Sequence, residues 1–545
     1  MISKWFTMLI FTSTFSKAYL LISSSASGSV IESRDFFHSR TPEDAFRVIE
    51  VELNFIYQVL YTKVEVVHSM AGYVFRFIAF GSIVSAFSIF HFHVNKTGFD
   101  KYDVRITYIL FLGAVGLDTI ALFMLIFSDR TYAALKNNGS KSNSKRSCIT
   151  SLFSWFLILK RPWWYECHTH HPVEIKHQLL ATPLLVRRWS GYVSGHNLVR
   201  YCLKGRPTSV HQIKGCFRLA IERITCLLHI DGFIRVIAIA NKSIVGYLHI
   251  AIERIIHVLC IDEVFHVLCC VMNKLIDCFG LTDFVDEIRY VSREPFTKEL
   301  WEFIFDELKR KSQFADDPEA AKRISSAKGD WVLQDYGSKT DLSKLMSYVS
   351  DVSYDESLLL WHIATELLYH CDDDKIDEKN YNDREFSKVL SDYMPTMMSA
   401  VAGIGKIRFR DTCAEAERFF TRKKLKSNEE KKACEHIMSV NTDVKPVAVK
   451  GDRSKSVLFD ASMLAKELKR LEEEEKVDKW KLMSRIWVEM LSFSASHCRA
   501  RTHAQQVSKG GELMTFVWLL MAHFGLGEQF QINEGHARAK LIVGK

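Results

Sequence analysis

The sequence predicts a mainly α protein: a transmembrane helical hairpin near the N-terminus, followed by a large α-helical region on the cytosolic side. Three observations predict it. Two apolar runs, Met70 to Val94 and Ile106 to Phe127, each reach the ~20 residues needed to cross the hydrocarbon core of a bilayer. Only 9 prolines and 25 glycines punctuate 545 residues, which favours long helices over many short strands. Beyond Glu294, apolar residues recur at helical spacing in segment after segment.

Composition narrows the function class. Hydrophobic residues make up 48% and charged residues 25%, a folding composition rather than a disordered one. The net charge of +8 comes from 72 Lys and Arg against 64 Asp and Glu, so a dedicated nucleic-acid binder is not indicated and no nucleic-acid partner is expected. The 13 cysteines are scattered without a CxxC pair, which reads as reduced, buried thiols in a cytosolic environment.

Residues 1–40 form an N-terminal tail with a short hydrophobic segment. Lys17 interrupts its apolar run, so it reads as a partial hydrophobic helix rather than a signal peptide. Residues 41–135 form the membrane region. Its spans are joined by a short connection near Asn95 to Arg105, which forces an antiparallel hairpin. Small residues (Gly81, Ser82, Ser85 and Ala86; Gly113, Ala114 and Gly116) suggest close helix approach. Each span carries one charge, Arg76 and Asp118. In a hairpin both lie near the same membrane face, so they are expected to pair as a structural clamp; the functional alternative is a proton or ion path through Asp118. Lys and Arg flanking the hairpin outnumber those in its loop, which places the bulk of the chain in the cytosol. The Asn95-Lys-Thr97 sequon then lies on the opposite side, too close to the membrane to be modified.

Residues 136–150 read as a polar linker, and 151–293 as an amphipathic helical region. Trp163, Trp164 and Tyr165 suit either a membrane interface or an aromatic core corner. Ala-Ile-Glu-Arg-Ile occurs at Ala220 to Ile224 and again at Ala251 to Ile255, a local duplication rather than a solenoid. Residues 294–545 read as a C-terminal helical domain. Helices are expected at Pro295 to Lys311, Leu358 to Tyr369, Arg384 to Tyr393, Asp411 to Phe420, Val457 to Lys476, Lys479 to Ser496 and Thr515 to Gly527. The basic stretch Thr421 to Val449 reads as a linker or exposed loop.

No catalytic motif stands out. Cys167, His168, His170 and His171 form a dense Cys/His cluster, but no matching second pair completes a zinc site. His362, Glu366 and His370 recur every four residues and share a helix face, yet lack the HExxH order of a zinc protease; a polar boundary of a core helix explains them better. Gly403-Ile-Gly405-Lys406 fails the phosphate-loop pattern, since Ile407 stands where Ser or Thr would hold magnesium. No cofactor and no metal are expected.

Several stretches carry a family resemblance: RVIEVELNFIYQVLYTKVEVVHS (Arg47 to Ser69), RRWSGYVSGHNLVRYCL (Arg187 to Leu203), EPFTKELWEFIFDELKRKS (Glu294 to Ser312), YDESLLLWHIATELLY (Tyr354 to Tyr369) and GGELMTFVWLLMAHFGLGEQFQ (Gly510 to Gln531). On these the chain resembles a plant family known by its domains of unknown function numbered 4220 and 594. The resemblance implies a membrane-associated plant protein and carries over no catalytic residue or ligand. The chain departs from the family pattern in lacking further upstream membrane helices, and at Met394–Pro395, where relatives have an apolar stretch.

The reading that follows is a membrane-anchored, non-enzymatic interaction or scaffold protein. Its partners are the lipid bilayer and a protein bound by the cytosolic helices. The alternative is a membrane-bound enzyme with a site around His362, Glu366 and Glu489 in the C-terminal domain.

Overall fold

The computed structural model describes residues 27–61, 69–96, 98–128, 131, 164–170, 174–180, 188–203, 290–315, 317–337, 342–372, 378–401, 405–426, 429–444, 455–509 and 512–526. Helices α1 (Ser27–His38) and α2 (Pro42–Tyr61) precede the long apolar pair α3 (Met70–Phe92) and α4 (Lys101–Ile126). Strands β1 (Trp164–His170), β2 (Glu174–Leu180) and β3 (Tyr192–His196) follow, then α5 (Leu198–Cys202) and β4 (Val291–Pro295). The elements described after β4 are helices: α6 (Lys298–Ser312), α7 (Pro318–Ser326), α8 (Asp330–Gly337), α9 (Ser343–Met346), α10 (Tyr354–Cys371), α11 (Glu378–Val401) and α12 (Gly405–Arg422). It ends in α13 (Glu430–Met438), α14 (Leu458–Glu475), α15 (Lys479–His497), α16 (Ala500–Lys509) and α17 (Glu512–His523). The chain is thus mainly α, with two apolar helices near the N-terminus.

Those two helices differ from every core helix in what they leave uncovered. Almost none of either apolar stretch is buried, and Phe75, Leu110 and Leu117 face outward. Uncovered apolar surface on this scale is costly in water and natural in lipid. At the loop end the pair is held by rings: Phe90 lies 5.3 Å from Tyr108, and Phe87 lies 5.8 Å from Phe111. Lys96 closes this end, donating to the His91 carbonyl (2.9 Å) and the Tyr108 hydroxyl (2.7 Å). The expected glycine packing is corrected: a methyl at Gly81, Gly113 or Gly116 would meet nothing within 4 Å. Aromatic side chains hold the helices together instead.

Helix α2 repeats Ala45, Phe46, Ile49 and Leu53 along one face, and all four are buried. That face packs on α6, α16 and α17. Phe46 sits in an aromatic hub, 5.5 Å from Trp301, 6.0 Å from Trp189 and 5.1 Å from Phe516. Trp164 joins the hub at 5.3 Å from Phe46, which makes it a core corner. The packing therefore groups residues 27–61 with the C-terminal helices rather than with the apolar pair.

Helix α15 is buried on nearly all sides and lies against α11 and α17. Two small antiparallel sheets flank the helices. One pairs β1 with β2, with Trp164 opposite Leu180; the other pairs β3 with β4, with Tyr192 opposite Pro295. Neither sheet was expected. The β3–β4 pair joins segments distant in sequence, a pairing that local periodicity does not carry.

The linker expected at Thr421 to Val449 contains α13, which buries Ala433, Cys434 and Ile437 against α10 and α14. Three apolar residues among lysines and glutamates gave too narrow a stripe to stand out. The helix expected at Arg384 to Tyr393 runs on through Pro395 to Val401. The sequence repeat, the 136–150 linker and Gly403 lie outside the described residues.

Candidate functional site

Ionisable side chains inside the helical core form one connected network. Lys388, on α11, donates to Glu366 Oε2 on α10 at 2.6 Å and to both oxygens of Asp392, one turn further along α11, at 2.9 and 2.7 Å. All three side chains are buried. Burial opposes the charge on Lys388, but Asp392 and Glu366 more than offset it and hold its pKa above the ordinary lysine value. Burial likewise opposes the charge on Glu366, and Lys388 with His370 holds its carboxyl well below the usual range.

The network continues outward. Glu366 Oε1 lies 3.0 Å from His370 Nε2, which lies 3.8 Å from Glu430 Oε2 on α13. Arg200, on α5, grips Glu430 with a fork, Nε to Oε1 at 2.8 Å and Nη2 to Oε2 at 3.0 Å. On the inner side, Asn197 Nδ2 donates to Asp392 Oδ1 at 3.2 Å, while its Oδ1 accepts from the Arg200 N–H at 2.9 Å and caps α5.

His362 belongs to the scaffold. Pro395 has no N–H for the Ser391 carbonyl one turn back. His362 Nδ1 lies 2.9 Å from that carbonyl and takes the missing donor's place. Nε2 then accepts from the Leu198 N–H at 3.1 Å, a donor that the first turn of α5 leaves without an intrahelical partner. Burial lowers the pKa of His362. The neighbouring His196 is pushed down to about 4 by burial and by His362.

Glu489 is equally engaged. Its Oε2 accepts from Lys311 at 2.6 Å, and its Oε1 accepts from the N–H groups of Gly329 (2.7 Å) and Trp331 (3.0 Å) at the start of α8. A third lock joins the chain's two ends: His523 lies 2.9 Å from Ser33 Oγ and 2.8 Å from Glu52 Oε2, with its ring stacked 4.1 Å from Phe37.

The structure brings Arg76 and Asp118 to 3.6 Å across the apolar pair. It brings Glu366 and His370 together but turns His362 to other partners. Cys167, His168 and His170 lie in β1, where Cys167 is opposite His177, His168 opposite Lys176 and His170 opposite Glu174. His171 lies outside the described residues. Sequence reasoning missed Arg200, Lys388, Asp392 and Glu430. Of these, only the four-residue spacing of Lys388 and Asp392 gave a local signal.

Glu385 differs from the network members. Its Oε1 accepts from Tyr369 at 3.1 Å and lies 3.9 Å from Arg384, its Oε2 has no hydrogen-bond partner among the described residues, and the residue is 3% exposed. Burial pushes its carboxyl up to about 7.

Two family profiles match parts of the chain. The profile described as a domain of unknown function, DUF4220, matches residues 8–202, and the profile described as a protein of unknown function, DUF594, matches residues 472–526. No curated protein and no solved structure matches the chain.

Replacing Lys388 with Met leaves Glu366 and Asp392 buried without their cation, and the unfolding free energy should fall by about 3–5 kcal/mol. Chemical denaturation of the detergent-solubilised chain reads this directly; an unchanged midpoint would show that the triad is not what holds α10 to α11. For Glu385 the folded pKa of about 7 exceeds the ordinary 4.5. The folded state therefore binds the extra proton in that window, and stability from this group is lost as pH rises through it. Glu385→Gln should flatten the decline in melting temperature between pH 5 and 8 and stabilise the protein most at pH 8. A parallel decline in both proteins would refute the assignment.

Proposed function

We propose that this chain, which carries the DUF4220 and DUF594 domains, is a membrane-anchored, non-enzymatic interaction protein whose folded domain lies in the cytosol. The exposed apolar pair carries the anchoring, and one further observation carries the topology: the segments on both sides of the pair share a single core. Helix α2 ends at Tyr61, before the pair, and Trp164 follows it, yet Phe46 of the one packs on Trp164 of the other and on Phe516. Flanks that share a core lie on one side of a membrane, so the chain between them crosses an even number of times. Helices of 23 and 26 residues are each long enough to make one crossing. The Lys and Arg bias supports the cytosol as that side. The free thiols of Cys202, Cys371, Cys413, Cys434 and Cys498 suit a reducing compartment.

We assign Arg76 and Asp118 as the clamp of this hairpin. Arg76 is about six residues into α3 and Asp118 about eight from the end of α4, so both sit roughly 9–12 Å inside from the core-facing ends. Two opposite charges at one depth compensate each other where lipid compensates neither.

The partner-binding role is supported by where the charge is spent. His362, Glu366 and Glu489, around which an enzyme reading would be built, are bonded to neighbours inside the core. A group of exposed cations lies instead where α12 ends and α13 begins, at Arg422, Lys423, Lys424, Lys426, Lys431 and Lys432. That basic face is the one we assign to an acidic protein partner.

Short epitope tags placed at Arg40, at Gly98 and after Lys545 test the topology in sealed membranes. Protease added from the cytosolic side should remove the first and last and spare the one at Gly98. Digestion of the Arg40 and C-terminal tags from opposite sides would overturn the hairpin. Arg76→Asp and Asp118→Arg should each lower the membrane-inserted yield several-fold, and the double exchange should restore it; no restoration would overturn the clamp.

A further inference from the structure

We propose that Glu366, His370 and Glu430 bind one divalent transition-metal ion, zinc first among them. Glu366 Oε1, His370 Nε2 and Glu430 Oε2 all lie within 4.8 Å of one another. The imidazole nitrogen is 3.0 Å from the first oxygen and 3.8 Å from the second. Ligands of a tetrahedral zinc ion, each about 2.1 Å from the metal, stand ~3.4 Å apart, within the 4.8 Å that bounds all three separations.

The site differs from the His362–Glu366–His370 face suggested by the sequence. His362 points its two nitrogens at Ser391 and Leu198, and the third ligand comes from α13 instead. Two helices thus converge on one point: α10 supplies Glu366 and His370, and α13 supplies Glu430.

Three features beyond proximity favour an ion. The first is orientation. Lys388 holds Glu366 by its other oxygen, and the Arg200 fork holds Glu430, so each carboxylate is fixed by an outer partner of the kind that orients metal ligands. The second is charge. Lys388 and Arg200 face three carboxylates, Glu366, Asp392 and Glu430, so with a neutral His370 one negative charge is left over in a largely buried setting. The third is access. Glu366 is 1% exposed, whereas His370 and Glu430 are 20% and 16% exposed, so an ion and a completing water can reach the site from solvent. One imidazole and two carboxylates suit zinc or manganese better than calcium or magnesium, which take oxygen alone.

The competing state is metal-free: His370 bridges Glu366 and Glu430 directly. Zinc titration and metal analysis of the full-length protein in detergent separate the two. Wild type should retain one equivalent of zinc after desalting, and added zinc should raise its melting temperature. His370→Ala and Glu430→Gln should each weaken zinc binding at least tenfold. A variant with Cys167→Ser, His168→Ala, His170→Ala and His171→Ala should bind as wild type does. X-ray absorption on the zinc-loaded wild type, which depends on no variant's folding, should show a nitrogen and oxygen shell without sulfur. Absence of bound zinc, retention by His370→Ala, loss in the Cys/His variant, or sulfur in the shell overturns the proposal.

Discussion

An ammonium group taken out of water costs several kcal/mol unless opposite charge meets it, and inside this protein Lys388 is met by two carboxylates at 2.6 to 2.9 Å. Satisfying that one cation sets the position of four helices. Glu366 fixes α10 against α11. Asp392, occupied by Lys388 on one side, presents its other face to Asn197, whose side chain caps α5. From Glu366 the chain of contacts passes through His370 to Glu430 on α13 and from there to Arg200, back on α5. The network closes on itself. No helix in it can slide by a turn without stranding a buried charge.

The same logic recurs at smaller scale. Pro395 inside α11 leaves a carbonyl without its donor, and the structure answers with His362, whose other nitrogen then serves α5. At the start of α8, Glu489 accepts two N–H groups from another part of the chain while Lys311 compensates its charge. Gly329, at that turn, has φ +124, and a methyl there would press on Val349 at 3.1 Å. These polar contacts are each made between distant segments, so they specify which helix lies beside which. Apolar burial supplies the drive but is far less particular about partner.

That division explains what the sequence made legible. Helix existence was readable because it is local: the stripe Leu300, Ile304 and Leu308 marks α6, and the apolar runs mark α3 and α4. The Arg76–Asp118 proximity was readable too, because a short loop and a 1.5 Å rise leave two charges little choice. What failed was non-local. Lys388 and Asp392 share a helix face, but nothing in their spacing points to Glu366 or to Asn197. The α13 stripe of Ala433, Cys434 and Ile437 is interrupted by lysines and looked like a solvated loop. The glycines of α3 and α4 suggested a helix contact that aromatic side chains make instead.

The two family domains, read beside this packing, are not independent units. Residues 8–202 contribute α2, whose buried face packs on α6, α16 and α17. Residues 472–526 contribute α15 to α17, and α17 lies directly beneath that face. Phe46 meets Phe516, Glu52 and Ser33 meet His523, and each contact joins residues more than 400 positions apart in sequence. An apolar face of this kind left open would be costly in water. Each domain therefore supplies the surface that the other must cover. The apolar pair, inserted between α2 and the rest of that shared core, is obliged to leave it and return.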